Sequence, residues 1–72
     1  MTKAQLRVIR HMFVAKTYLK SRSDGNWRYS NGDDTLVRKS TVNALMRGGL
    51  ITPGFDASRL TAAGIQEAKN TE

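Results

Sequence analysis

The chain contains no cysteine, so neither a disulfide nor a thiolate metal site can stabilise it. Its apolar runs are far shorter than the ~20 residues that a membrane-spanning helix needs. The N-terminus also has no apolar stretch of the signal-peptide type. These absences argue against a membrane-spanning protein and a disulfide-rich secreted domain. We therefore expect a soluble, cytoplasmic protein that has no membrane partner.

Residues that commonly carry out catalysis are also scarce. His11 is the one histidine in the sequence, and Asp33-Asp34 is the one pair of adjacent carboxylates. The glycines form no phosphate-binding motif, and Ser40 has no identifiable base. We therefore predict that the protein is not an enzyme, has no catalytic residues and binds no cofactor or metal. His11 is interpreted as a surface or boundary residue.

Positive charge is abundant and unevenly distributed. Twelve Lys and Arg residues against six Asp and Glu residues leave a net charge of +6. Residues 1–32 carry seven of the basic residues and one acidic residue, so they hold the whole net charge, and residues 33–72 are neutral. Such a balance predicts attraction to a polyanion such as nucleic acid. The alternative is a charged surface that only keeps the protein soluble.

The length of 72 residues predicts a single domain over 1–72, with one small hydrophobic core. Thr2 and Gln5 form a capping-box pattern for a first helix that ends near Ala15. Its expected core stripe has apolar residues at three- and four-residue spacing: Leu6, Val8, Ile9, Met12 and Phe13.

A hairpin is predicted next, because the runs TYLKS and NWRYS flank an Asp-Gly turn. Trp27 and Tyr29 then share one face and cover the core, with Arg28 on the other face. An alternative role for these aromatic residues, together with Tyr18, is stacking on nucleic acid next to Lys20 and Arg28.

After a loop at Asn31–Asp34, in which Asp34 or Thr35 is a candidate helix cap, a second helix is predicted over about 38–47. Its apolar residues are Val42, Leu45 and Met46. The opposite side carries a polar stripe at helical spacing, formed by Lys39, Ser40, Asn43 and Arg47.

The pair Gly48-Gly49 predicts the end of this helix in a Schellman motif. A short strand at Leu50–Thr52 and a return at Ser58–Leu60 flank a Pro-Gly turn. Thr61 is the predicted cap of a last helix, whose narrow apolar stripe is Ile65 and Ala68. Gly64 in its first turn lowers helix propensity, so we expect it to pack closely against a neighbouring element.

The runs STVNALMRGGLI and RLTAAGIQEA resemble the recognition helix, wing and following helix of winged-helix DNA-binding proteins, especially MarR-like bacterial and phage regulators. The resemblance covers about a third to two fifths of the chain. The residues that match the family pattern are Ser40, Thr41, Val42, Leu45, Gly49, Leu50, Ile51, Leu60, Thr61 and Gly64.

This resemblance implies an α+β winged-helix-like fold of about three helices. A small hairpin would precede the recognition helix at about 38–47, and a short wing at about 50–60 would follow it. It further implies a transcriptional or accessory regulator of double-stranded DNA. The residues it assigns to base or phosphate contacts are Arg38, Lys39, Ser40, Asn43 and Arg47, with Arg59, and less strongly Phe55, from the wing. Arg28 is added as a DNA-binding candidate because of its charge.

The chain departs from the family pattern in three features. A hairpin and a loop replace the helix that usually precedes the recognition helix, the wing is short, and long dimerisation helices are missing. A second function therefore stays open: a protein-interaction module on a winged-helix scaffold, such as a phage-encoded inhibitor or adaptor that binds a host protein. A homodimer through the first and last helices also stays open, because association stabilises small domains.

Overall fold

The computed structural model describes residues 1–32 and 35–70 and has an α+β architecture. Its helices are α1 (Lys3–Val14), α2 (Lys39–Arg47) and α3 (Ala62–Asn70). Its strands are β1 (Leu19–Ser21), β2 (Trp27–Tyr29), β3 (Leu36–Val37) and β4 (Ala57–Ser58), and they form one antiparallel sheet in the order β3-β2-β1-β4. Among these residues, no helix has the length and apolar character needed to cross a membrane.

The first helix begins as the sequence predicts. The Thr2 hydroxyl accepts a hydrogen bond from the backbone N–H of Gln5, and the Gln5 side chain accepts one from the backbone N–H of Thr2, so the capping box is complete. The helix buries Val8, Ile9 and Met12. Leu6 and Phe13, which were expected in the same stripe, are half-buried at the edge of the core.

The predicted hairpin forms between β1 and β2, with Leu19 opposite Tyr29 and Ser21 opposite Trp27. The two aromatic side chains are 6% and 4% exposed and belong to the core, whereas Arg28 between them is exposed. Because their rings are buried, Trp27 and Tyr29 are not available for stacking on nucleic acid. His11 is half-buried, as a boundary residue should be, and its ring lies 4.1 Å from that of Tyr29.

The structure has a third strand between the predicted loop at 31–34 and the second helix, and the sequence did not predict it. Leu36 and Val37 form β3, with Val37 opposite Trp27. The cap position of α2 is Arg38, so the prediction for Thr35 is wrong, and Asp34 lies outside the described residues. The Arg38 side chain makes no capping hydrogen bond.

A residue from the hairpin supports the start of α2 instead. The side-chain oxygen of Asn26 accepts a hydrogen bond of 3.2 Å from the backbone N–H of Lys39. One of the unpaired N–H groups of the helix end is thereby satisfied by a distant turn of the chain. This contact also holds α2 against the end of the hairpin.

The end of α2 is the predicted Schellman motif. Gly49 has a positive φ of 74°, and its N–H donates to the carbonyl of Met46. The N–H of Leu50 donates to the carbonyl of Leu45. These two bonds satisfy carbonyl groups that would otherwise lack partners at the helix end.

The segment after α2 forms less strand than predicted. Ile51 pairs with Leu60 in a single bridge, and the N–H of Thr52 donates to the carbonyl of Arg59. The returning segment becomes β4, in which Ser58 pairs with Leu19 of β1. The hairpin at 51–60 is therefore continuous with the N-terminal sheet, and its turn is formed by residues 53–56.

The last helix packs on α1, and its start lies against the turn that follows α2. The Thr61 hydroxyl accepts the N–H of Gly64, as a cap should, and donates to the carbonyl of Gly49 at 2.6 Å. Gly64 is buried, and a Cβ at this position would collide with the backbone carbonyl of Leu50. The close packing expected at Gly64 is confirmed. Ala68 is buried in the core and Ile65 is half-buried.

The core lies between one face of the sheet and the three helices. Sheet residues Leu19, Trp27, Tyr29 and Val37 point into it, together with side chains from every helix. Among the residues that the structure describes, no helix packs on the other face of the sheet, where Arg28, Leu36 and Ala57 are exposed. Val42 and Leu45 are buried as predicted, and Met46 is half-buried beside them.

Candidate nucleic-acid interface

The polar stripe of α2 forms one exposed surface, which we call the α2 surface. It consists of Lys39, Ser40, Asn43 and Arg47, all of which are exposed. Their spacing places them on one side of the helix, opposite the buried Val42 and Leu45. None of the four side chains is hydrogen-bonded or ion-paired to another described residue. They are therefore available to a ligand.

A groove runs beside the α2 surface, between α2 and the turn of the 51–60 hairpin. Asn43 and Met46 line its α2 side, and Pro53, Gly54 and Phe55 line the hairpin side, around a volume of about 630 Å³. The Phe55 side chain is 95% exposed at the tip of the hairpin. The structure therefore places the two segments that the family resemblance assigned to DNA on either side of one groove.

Arg38 lies apart from the four residues of the α2 surface. It lines a smaller groove between α1, β3 and the start of α2, and Arg7 of α1 lines the same groove. Arg7 of α1 therefore lies near the start of α2. This proximity could not be predicted from the sequence, because nothing local in the sequence indicates how α1 and α2 pack.

The remaining two predicted DNA-binding residues, Arg28 and Arg59, lie on the face of the sheet that points away from the core, which we call the open face. Arg28 of β2 is opposite Lys20 of β1, and both project away from the helices, since Leu19, Trp27 and Tyr29 project into the core. Arg59 follows β4 on the same face, and its guanidinium carbon lies 4.1 Å from the centre of the Tyr18 ring. We call Tyr18, Lys20, Arg28 and Arg59 the sheet surface.

The seven predicted DNA-binding residues therefore do not form one patch. Four make up the α2 surface, Arg38 lies at the start of α2, and Arg28 and Arg59 belong to the sheet surface. The contact between Arg59 and Tyr18 depends on the pairing of β4 with β1, which joins residues about 40 positions apart in the chain. No local sequence pattern could have revealed it.

One carboxylate has a pKa that departs from its usual value. Asp24 lies in the exposed turn of the β1–β2 hairpin, where the backbone N–H of Asn26 donates to its Oδ1 at 3.0 Å. This hydrogen bond, together with the positive charge of Arg22 at 3.3 Å, lowers the pKa of the Asp24 carboxyl. The hairpin turn thus keeps a negative charge that offsets Arg22.

In the described part of the chain, the acidic and histidine side chains do not gather into a metal site. Within residues 1–32 and 35–70, no group of three or more His, Cys, Asp or Glu side chains is close enough to hold a metal ion. The predicted loop carboxylates, Asp33 and Asp34, lie outside the described residues.

No protein-family model, no curated protein and no solved structure matches the chain significantly.

Proposed function

We propose that the protein binds double-stranded DNA as a small winged-helix-like regulator, with α2 in the major groove and the 51–60 hairpin beside it. The observation that carries this proposal is the α2 surface: four polar or basic side chains on one exposed helix side, all without protein partners. The tip of the 51–60 hairpin, on the other side of the groove from α2, gives a duplex a second element to contact.

The side chains of the α2 surface suit the two kinds of contact that such a helix makes. Asn43 can form two hydrogen bonds with adenine, and Arg47 can form two with guanine, because their donors and acceptors match those base edges in the major groove. Lys39 and Ser40 are in the first turn, where backbone N–H groups and the helix dipole favour phosphate oxygens. Arg38 adds charge next to this turn.

The packing of α2 and the hairpin supports a preformed recognition surface. The Schellman motif leads directly into the hairpin, and the Thr61 hydroxyl bonds to the Gly49 carbonyl from the start of α3. The return of the hairpin is held in the sheet by β4. Both ends of the hairpin are therefore attached to the rest of the fold.

The test is a titration with duplex DNA at several salt concentrations. Each phosphate contact that is lost lowers the salt slope of log K by about 0.9. We expect Lys39→Ala with Arg47→Ala to lower the slope by about 0.9 to 1.8 and to weaken binding, since Lys39 contacts phosphate and Arg47 a base or phosphate. The matched control is Lys3→Ala with Lys69→Ala, which removes two exposed charges from α1 and α3.

Two results would contradict the proposal. One is duplex binding that does not depend on salt. The other is an equal loss of affinity in the control variant, because this would show that net charge, and not the α2 surface, attracts the duplex.

A protein-interaction module is the second candidate, and one observation favours it. Phe55 is 95% exposed at a hairpin tip, and aromatic side chains in such positions often anchor protein interfaces. The groove behind Phe55 includes the half-buried Met46. This candidate predicts that a partner protein is retained after nuclease treatment and released by Phe55→Ser. Loss of all partners on nuclease treatment would count against it.

A further inference from the structure

On the open face of the sheet, a row of side chains runs across all four strands. Leu36 of β3 is opposite Arg28, Arg28 is opposite Lys20, and Lys20 is opposite Ala57 of β4. All four point away from the core, because the side chains that alternate with them are buried. Two cations thus stand side by side in the centre of an open sheet.

Like charges directly opposite each other on neighbouring strands destabilise a sheet. No acidic side chain among the described residues forms an ion pair with Lys20 or Arg28. An anionic ligand placed between the two cations would remove their repulsion. The pair of Lys20 and Arg28 therefore does not stabilise the sheet, and it is better explained as part of a binding site.

A planar surface lies beside this pair. The Arg59 guanidinium stacks on the Tyr18 ring at 4.1 Å, and the Lys20 ammonium lies 5.9 Å from the centre of the same ring. Arg59 is exposed, while Tyr18 below it is half-buried. A flat, cationic group that is held in place in this way can stack with a nucleic-acid base.

We propose that the sheet surface is a binding site for single-stranded nucleic acid, separate from the duplex site proposed for α2. Lys20 and Arg28 bind successive backbone phosphates, and a base stacks on the outer face of the Arg59 guanidinium. The combination of backbone-binding cations with a stacking platform on an open sheet is the chemistry that single strands require.

A single strand fits this surface better than a duplex or an acidic protein does. The bases of a duplex are stacked on each other, so their faces cannot reach the Arg59 guanidinium, except at an end. An acidic peptide would satisfy Lys20 and Arg28 but has no need of a stacked, planar cation. The role of Arg59 therefore separates these ligands in an experiment.

The experiment measures fluorescence anisotropy of labelled oligothymidylate and oligouridylate of about 15 nucleotides, a length within the range that small domains cover. Lys20→Ala with Arg28→Ala should weaken binding and lower the salt slope of log K by about 1.4, since each phosphate contact to a single strand contributes about 0.7. The relative affinity for the two oligonucleotides shows whether the site favours the DNA strand or the RNA strand of this pair.

Arg59→Lys is the decisive variant, because it keeps the charge and removes the planar group. We expect it to weaken single-strand binding about fivefold or more, since stacking of one base is worth at least that factor. Thermal unfolding of each variant confirms that the fold is retained, which is expected because Arg28 and Arg59 are exposed and Lys20 is only half-buried.

Duplex binding provides the reciprocal control. Lys20→Ala should leave duplex affinity unchanged, because Lys20 belongs neither to α2 nor to the 51–60 hairpin, and Lys39→Ala with Arg47→Ala should leave single-strand affinity unchanged. The two proposals therefore fail separately: loss of duplex binding alone leaves the sheet surface intact as a site.

Three results would overturn the inference. The first is no measurable binding to either oligonucleotide at low salt. The second is full affinity in Arg59→Lys, which would show that the surface attracts the strand by charge alone and that no base stacks on Arg59. The third is an equal loss in Lys3→Ala with Lys69→Ala, which removes two positive charges from the helices.

Discussion

The α2 surface is built from one helix of nine residues, whereas the sheet surface takes its side chains from β1, β2 and the end of β4. Both surfaces are basic and accessible to solvent, although Tyr18 and Lys20 of the sheet surface are half-buried. They differ in how their side chains are held: those of α2 project freely, and Arg59 of the sheet surface is already stacked on Tyr18.

This difference follows from the two kinds of secondary structure. A helix brings side chains together at three- and four-residue spacing, so a short stretch of sequence is enough to form a surface. A sheet brings together residues that are distant in the chain, so its surface exists only when the strands have paired. The α2 surface therefore depends on local helix formation, and the sheet surface depends on the whole fold.

The largest expected effect comes from the contact that joins the two regions. Gly64→Ala places a Cβ against the Leu50 carbonyl, so α3 must move away from the end of α2 and the start of the hairpin. We expect it to lower the free energy of unfolding by about 3 kcal/mol, the upper end for overpacking. Urea denaturation measures this change.

The control for this variant is Ala63→Gly, at an exposed position in the same helix. It should cost only about 1 kcal/mol, through helix propensity. Equal effects of the two changes would mean that the close approach at Gly64 is not important for stability.

The next effect concerns the end of α2 and compares two adjacent glycines. Gly49 has a positive φ, so Gly49→Ala should lower the free energy of unfolding by about 1–2 kcal/mol. Gly48 has a φ of −79°, and a Cβ there meets its nearest neighbour at an ordinary distance of 3.4 Å. Gly48→Ala should therefore be neutral or stabilise by up to about 1 kcal/mol. Thermal unfolding of both variants checks the prediction, and the reverse order would contradict the Schellman motif.

A smaller effect is expected from extending the row of cations on the sheet. Ala57 is exposed on β4 opposite Lys20, so Ala57→Lys places a third positive charge in the row. The added repulsion should lower the free energy of unfolding by about 0.5 kcal/mol. The same change should strengthen binding of oligothymidylate at low salt and leave duplex binding by the α2 surface unchanged. Stronger duplex binding would show that the two surfaces act together.

The smallest effect is at the hairpin turn next to the sheet surface. The pKa of the Asp24 carboxyl is below its usual value near 3.8, chiefly because the Asn26 N–H donates to it. A pKa lowered by folding stabilises the folded state above the unfolded pKa, and this stabilisation is lost as the pH falls through the folded pKa. Because Asp24 is fully exposed, we expect only a slight loss of stability below about pH 4.

An NMR titration of the Asp24 carboxyl measures this pKa directly. Arg22→Ala removes the ion pair but keeps the Asn26 hydrogen bond, so the pKa should stay below its usual value. A return to the usual value in this variant would show that the charge of Arg22, and not the hydrogen bond, is the main cause.

Local patterns in the sequence were sufficient for the helices. The Thr2–Gln5 capping box, the Gly48-Gly49 stop and the Thr61 cap all form as predicted. Each of these motifs is completed within six residues, so its physical cause is contained in a short stretch of the chain. The same holds for the polar stripe of α2 and for the β1–β2 hairpin.

The third strand and the wider sheet were not predictable in this way. Leu36 and Val37 carry no strand signal strong enough to be distinguished from a loop, and they become β3 because β2 offers a free edge. Likewise, Ala57 and Ser58 become β4 because β1 has an open edge on its other side. Propensity over two residues is too weak to decide such pairing, and tertiary contacts decide it.

By itself, the sequence determined the class of the fold, the ends of its helices and the side chains that α2 presents to solvent, since these depend on spacing along the chain. Only the tertiary structure decided that Asn26 supports the start of α2, that Arg7 lies beside Arg38, and that Arg59 stacks on Tyr18. These contacts join residues far apart in the chain, and their geometry exists only after the sheet has paired and the helices have packed on it.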